Sequence, residues 1–247
     1  MNVKEKVVLI TGGAGALGFG MAKALLEAGA TVCLLDISRE QGEKALEALS
    51  GKVFFLQCDI TSEKQWASAV SAVLAAHGKI DVLVSNAGIN IRKTIEEMSL
   101  EEFRTMVDVN VASVFLGMKY VIPALRANGG GSIINISSVC GLIGHRFTPE
   151  AYTATKGAVT LLTKSVASRY GKENIRCNSV HPSTVETPLV AELFKDPLKR
   201  QERIDEVPLG RMASVQDVAA AVLYLASEEG SFINGIALPV DGGVTSW

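Results

Sequence analysis

Tyr152 and Lys156 stand four residues apart in the run Ala151-Tyr-Thr-Ala-Thr-Lys-Gly157. On a helix that spacing sends a phenol and an ammonium from one face, so both can reach a single bound molecule. A free phenol titrates near pH 10 and exchanges protons poorly at neutral pH. An adjacent cation stabilises the phenolate, each tenfold gain in acidity corresponding to about 1.4 kcal/mol. The chemistry open to the pair is therefore proton exchange with an oxygen atom. The bare pattern also arises by chance on an ordinary amphipathic helix, and the remaining residues have to discriminate.

The elements that would position the pair are readable as an alternation. Short β-branched or apolar runs at 7–11, 31–35, 53–58, 82–85, 132–137, 175–180 and 236–240 alternate with helical spacing at 17–28, 39–49, 63–76, 101–125, 150–170 and 215–227. This pattern predicts an α/β fold: a doubly wound, Rossmann-like, parallel seven-stranded sheet with helices on both faces, residues 1–247 forming a single domain. The continuous apolarity of Val7-Val-Leu-Ile10 suits a central strand buried on both sides. Ser62 and Ser99 are placed as N-caps, Ser99 with Glu102 as a capping box. Residues 188–212 break the rhythm with charges and with Pro197 and Pro208. They follow a strand's carboxyl end, where open α/β sheets bind ligands, so they are expected to form a lid or else a plain surface excursion.

A length of 247 residues supports one substantial core, and a net charge of -2 offers no electrostatic footprint for nucleic acid or an anionic membrane. Small-molecule chemistry is the better expectation. Cys33, Cys58, Cys140 and Cys177 lie far apart with no Cys-x-x-Cys spacing, which fits a reducing cytoplasm and no metal site. No stretch reads as a secretion signal or as long and uncharged enough to span a bilayer.

Thr11-Gly-Gly-Ala-Gly-Ala-Leu-Gly18 follows the first strand and opens the first helix. In that context Gly12, Gly15, Leu17 and Gly18 would bring backbone N–H groups and a helix N-terminus to a pyrophosphate. Asp36, with Ile37, ends the second strand where a carboxylate accepts from adenosine ribose hydroxyls. The same charge repels a 2′-phosphate, which favours NAD over NADP, with Arg39 the one cation able to swing toward such a phosphate. Asp59 and Ile60 would border the adenine, and Asn86, Ala87 and Gly88 would let backbone pass close to the cofactor. Each of these last two sites is also compatible with a simple strand-to-helix turn.

Together these residues resemble the short-chain dehydrogenases/reductases along nearly the whole chain: the glycine turn, Asn86-Ala-Gly88, Asn110 in Asp-Val-Asn-Val, Ser138, Tyr152/Lys156, Asn178-Ser-Val-His-Pro182 and Val240-Asp-Gly-Gly243. The resemblance implies that Tyr152 is the general acid/base, that Lys156 lowers its pKa and holds the nicotinamide ribose, and that Ser138 binds the substrate oxygen. It further implies that Asn110 supports a water linking Lys156 to solvent, and that Pro182, Val185 and Thr187 line the nicotinamide. Three departures stand out: Ala16 where a glycine is usual, Ser183 after Pro182, and fourteen residues from Ser138 to Tyr152, one more than the common spacing.

Selectivity is then expected from the loop 141–149, from 90–93 and from the lid. Leu142, Ile143 and Phe147 suggest an apolar wall; Arg92, His145 and Arg146 could recognise an anionic or polyhydroxy substrate. The leading expectation is an NAD-dependent secondary-alcohol dehydrogenase or ketone reductase. The alternatives are an NADP-dependent 3-oxoacyl carrier-protein reductase and a non-catalytic nucleotide sensor on the same fold. The resemblance also implies a homotetramer built on the helices at 101–125 and 150–170 and on the last strand; separately, Trp247 at the terminus is expected to reach a neighbouring subunit's site. The residues Ala158, Val159, Leu161, Leu162, Val166 and Ala167 fit either that contact or packing on the sheet.

Overall fold

In the computed structural model, which describes residues 1–246, seven parallel strands form one sheet: β1 (Val7–Thr11), β2 (Thr31–Asp36), β3 (Val53–Gln57), β4 (Val82–Ser85), β5 (Gly131–Ile136), β6 (Ile175–Pro182) and β7 (Ala237–Val240). Their order is β3-β2-β1-β4-β5-β6-β7. Winding reverses between β1 and β4, and that switch point opens a crevice at the strands' carboxyl ends. The doubly wound α/β expectation holds. Trp247 lies outside the described residues, and so does the expectation attached to it.

Alternation along the strands divides the core into two layers. Val8, Ile10, Leu34, Val82 and Val84 pack with α1 (Ala16–Glu27), α2 (Arg39–Ala48) and α9 (Val215–Ala226). Leu9, Cys33, Leu35, Leu83 and Ile133 face the other way onto α3 (Glu63–His77), α5 (Ser113–Ala127) and α6 (Glu150–Tyr170). Adjacent residues of a strand point to opposite faces, so a run apolar at every position needs helices on both sides. Ser62 and Ser99 cap α3 and α4 (Leu100–Val107), the latter as a complete capping box with Glu102.

The helix expected over 101–125 is interrupted. Between α4 and α5, Asp108–Ala112 forms a π-helical turn. The extra residue in that turn rotates Asn110 into the interior, where its amide meets Ile89 and Thr155. The joined run Leu100–Ala127 is by length and composition apolar enough to cross a membrane, contrary to the sequence expectation. Here Val114, Met118, Val121 and Leu125 are spent on the core layer beneath β4 and β5.

The ambiguous face of α6 splits in two. Val159 and Ala167 are buried against the sheet, whereas Leu161 is 69% exposed, as is Phe115 of α5 at 52%. Residues 188–212 form two short helices, α7 (Pro188–Leu193) and α8 (Pro197–Asp205), each with proline in its first turn, where the missing N–H costs nothing.

Candidate active site

The glycine turn is shaped by backbone that tolerates no side chain. A Cβ at Gly18 would stand 2.2 Å from the Gly12 carbonyl oxygen, so only glycine lets α1 begin this close to β1. Gly15 is the N-cap and supplies no side-chain bond, which leaves the first amides of α1 facing the crevice. Ala16 is exposed there and its methyl does not block them. Asp36 sits over the turn, accepting from Ala14 N at 3.2 Å and from Ser38 N at 3.1 Å, beside the exposed Ile37.

Asn86 fastens this turn to β4. Its Nδ2 donates to the carbonyls of Thr11 and Gly12, and Thr11 Oγ1 accepts from the amides of Asn86 and Ala87. Asp59 accepts from both groups of Thr61, while the Ile60 carbonyl accepts from Trp66 Nε1. Leu17 packs against the core layer that holds α1.

Tyr152 and Lys156 occupy one face of α6, with Lys156 Nζ 5.6 Å from the centre of the phenol ring. Lys156 is only 4% exposed and donates to the Ile136 carbonyl at 2.9 Å. A Cβ on Gly88 would lie 3.1 Å from Asn110 Oδ1 and 3.5 Å from Lys156 Nζ; the absent side chain lets these two approach the cofactor loop. Asn110 Oδ1 accepts from Ile89 N, and its Nδ2 donates to the Ile89 carbonyl and to Thr155 Oγ1. Thr155 Oγ1 in turn donates to the Tyr152 carbonyl. Both amide hydrogens of Asn110 are thus committed to protein atoms, tying the π-turn to the helix of the pair. Ser138, just beyond β5, accepts from Cys140 N at 3.2 Å and lies near enough to the Tyr152 phenol to favour its ionisation.

Burial governs the ionisation of the pair. It drives the Tyr152 phenol well above its ordinary value, with Cys140 adding to the rise and the Ser138 side chain and the Arg92 charge opposing it. It pushes Lys156 down to about 8. In the ligand-free protein desolvation is the largest influence on the phenol, and the opposing influences come from Ser138 and Arg92.

The three proposed substrate-binding side chains have different surroundings. Arg92 is exposed and near enough to act on the phenol. His145 Nε2 lies 3.3 Å from Glu206 just after α8, and Arg146 stacks 4.4 Å from the centre of the Phe147 ring. Arg203 of α8, 8% exposed, covers Phe147 at 3.5 Å. The longer approach from Ser138 to Tyr152 thus serves as the dock for residues 188–212. Thr187 caps α7, Val185 bridges to Ala213, and a cavity of about 360 Å³ is lined by Thr187, Ala191, Phe194 and Met212 together with Glu186 and Arg200. Sequence reasoning missed Arg203 and Glu206 as partners of the loop, and it quoted His181 only as part of a run.

A depression of about 190 Å³ at the sheet's opposite end, near Lys6, Asp81 and Arg176, is a different matter. Lys6 pairs with Glu228, Asp81 accepts from Val7 N and Asn128, and Arg176 donates to the carbonyls of Leu225 and Ile233. Its polar groups serve each other. Among the described residues, no group of three or more His, Cys, Asp or Glu side chains could hold a metal ion.

A parallel sheet with a glycine turn at its switch point, and a Ser, a Tyr and a Lys gathered at the same edge, is the build of an oxidoreductase that uses a nicotinamide dinucleotide. Comparison with known proteins agrees. A family model described as enoyl-(acyl carrier protein) reductase matches residues 12–245. Cyclopentanol dehydrogenase from a Comamonas species is 42% identical over 248 residues, covering 99% of each chain. Trans-4-hydroxycyclohexanecarboxylate dehydrogenase of Sinomonas cyclohexanicum is 39% identical over 254 residues, covering 99% of this chain and 95% of that one. The crystal structure of levodione reductase superposes with a TM-score of 0.93 at 32% identity, covering 99% of both chains. The chain belongs to the short-chain dehydrogenase/reductase family.

Proposed function

We propose that this protein is an NAD-dependent dehydrogenase, or ketone reductase, acting on a secondary alcohol carried by an alicyclic ring. The observation that supports it most is the convergence of Ser138, Tyr152 and Lys156 on one edge with Asp36 over the glycine turn. The ring is suggested by the names of the cyclopentanol and trans-4-hydroxycyclohexanecarboxylate relatives and by the apolar Phe194 and Met212 at the cavity.

The residues present suit the cofactor: the crowding at Gly18 and Gly88 leaves room only for backbone, and the α1 amides face the same crevice. Gly12, Gly15 and Gly18 would hold the pyrophosphate, Asp36 the adenosine ribose, Asn86 to Gly88 and Lys156 the nicotinamide ribose, and Pro182, Val185 and Thr187 the carboxamide end. When bound, NAD supplies the hydride acceptor. In alcohol oxidation Ser138 Oγ hydrogen-bonds the substrate oxygen and Tyr152 takes its proton as hydride leaves the carbon. Lys156 holds a positive charge beside the resulting phenol system, and the Asn110–Thr155 bonds keep α6 in register with it.

The test is to follow NADH absorbance with cyclic and open-chain secondary alcohols. Faster turnover of cyclopentanol or a cyclohexanol than of an open-chain isomer is expected. No oxidation of any alcohol would sink the reading, and turnover of 3-oxoacyl thioesters with NADPH instead would favour the acyl-reductase alternative. Asp36→Ala is expected to lower the ratio of kcat/KM for NAD over NADP by about tenfold or more, since a repelling carboxylate is removed. An unchanged ratio would show that Asp36 does not set cofactor choice.

We infer a homotetramer that covers the outward Phe103, Phe115 and Leu161. A solution mass close to the 26.2 kDa of one chain would refute it.

A further inference from the structure

His181 is a fully buried histidine in a strand that also buries Asn178 and Ser179. It lies on β6, is 0% exposed, and stands one residue beyond Val180, which pairs with Ile136 in the β5–β6 ladder. Nδ1 is 2.7 Å from the Ser138 carbonyl oxygen and Nε2 is 2.8 Å from Ser179 Oγ. A carbonyl has no proton to give, so Nδ1 must carry the hydrogen. In the neutral ring Nε2 is then an acceptor, and the Ser179 hydroxyl supplies its hydrogen. Burial, followed by the charges of Lys156 and Lys164, favours that neutral form against the opposing pull of the carbonyl. The tautomer is fixed from both sides.

The position of this bond matters. Backbone pairing of β5 with β6 reaches the bond from Ser137 N to the Val180 carbonyl, and after it the chain turns into a 3-10 segment at Val139–Gly141. Ser138 is the hinge between the two. Its carbonyl accepts from Gly141 N within the turn, and its Oγ accepts from Cys140 N. Both bonds belong to the turn itself, so they would move with it. His181 is the side chain that ties the Ser138 backbone to the sheet.

We propose that His181 is a positioning residue for Ser138: its Nδ1–H continues the β5–β6 ladder by one side-chain bond and so fixes where the Ser138 hydroxyl meets the substrate oxygen. This rests on the role given to Ser138 above. A hydroxyl displaced by a fraction of an ångström loses most of its differential binding of the transition state. The effect should therefore appear in kcat rather than in cofactor affinity.

The experiment is a double-mutant cycle on the full-length protein, with kcat corrected for active-site concentration by NADH titration. His181→Leu is expected to lower kcat about 10- to 100-fold with NADH affinity changed less than about threefold. His181→Asn, whose amide N–H can reach the same carbonyl, is expected to recover most of that loss, and His181→Gln, which matches Nε2 instead, is not. In a Ser138→Ala background, His181→Leu is expected to cost nothing further, because the group it positions is gone. An equal loss in both backgrounds, or full kcat in His181→Leu, overturns the proposal. If His181→Leu does not fold, Asn and Gln variants of equal kcat overturn it as well. A silent Ser138→Ala would instead overturn the role of Ser138, an outcome distinct from these.

Discussion

Tyr152→Phe is expected to reduce kcat/KM for a secondary alcohol by about 10³-fold, the range over which a positioned acid or base contributes. The substitution keeps the ring and removes one oxygen. Lys156 Nζ, 5.6 Å from the ring centre, keeps its face-on contact, and the Thr155 bond goes to the Tyr152 backbone, so α6 retains its position. Ser138 still accepts from Cys140 N. Cofactor affinity, measured by quenching of intrinsic fluorescence with NADH, is accordingly expected to change less than about threefold, which makes the loss one of transition-state stabilisation. Retention of a tenth or more of wild-type activity would mean that another group exchanges the proton. Lys156, 5.6 Å from the ring centre and pushed down to about 8, is one titratable alternative, whereas Arg92 lacks a removable proton at working pH.

The high phenol pKa of the ligand-free protein adds a condition to this chemistry. A Tyr152 held protonated by burial is ready to reduce a ketone, because it already carries the proton to be given. For alcohol oxidation it must first lose that proton, so oxidation is expected to accelerate with rising pH until Lys156, at about 8, begins to lose its charge.

Much of this site could be read before any coordinates because its parts are local. The glycine turn needs small residues at fixed offsets after a strand, Asp36 must end the next strand, and Tyr152 and Lys156 share a helix face through simple periodicity. The sheet's two-sided burial follows from strands without polar alternation, as in Val7 to Ile10. What escaped reading depends on contacts between distant residues or on burial. The π-turn at Asp108–Ala112 leaves the apolar spacing of 101–125 unbroken; its cause is Asn110 reaching Ile89, twenty-one residues away. His145 reads as an exposed loop side chain until Glu206 is brought beside it. The upward push that burial gives the Tyr152 phenol was illegible for the same reason: a neighbouring cation is visible in sequence, and desolvation is not. His181 carried a weak signal, a lone histidine just before Pro182 at the end of β6, that only its 2.7 Å bond to Ser138 turns into a role.

Lys156→Met is expected to give a protein that is both inactive and more stable at neutral pH. Burial depresses Lys156 from its ordinary value of 10.5 to about 8, so at pH 7 the fold carries a buried ammonium that the unfolded chain would solvate. A shift of that size corresponds to roughly 3 kcal/mol, of which the lost bond to the Ile136 carbonyl gives back about 1 kcal/mol, for a net gain of about 2 kcal/mol. The sign fixes the pH window. Between about 8 and 10.5 the unfolded lysine binds more protons than the folded one, so wild-type stability rises with pH there, while below about 8 the cost is constant. Burial also raises the thiols of Cys33, Cys58 and Cys177, which lowers the stability of both proteins alike in alkali and cancels in the difference. Urea unfolding of wild type and variant should therefore show the largest gap at pH 7 and convergence, to within the lost hydrogen bond, by about pH 10.5. A gap independent of pH would mean that Lys156 is not the buried charge responsible. Turnover is expected to fall about 10³-fold, since under the proposed function the same cation that burdens the ligand-free fold would meet the nicotinamide ribose and stabilise phenolate.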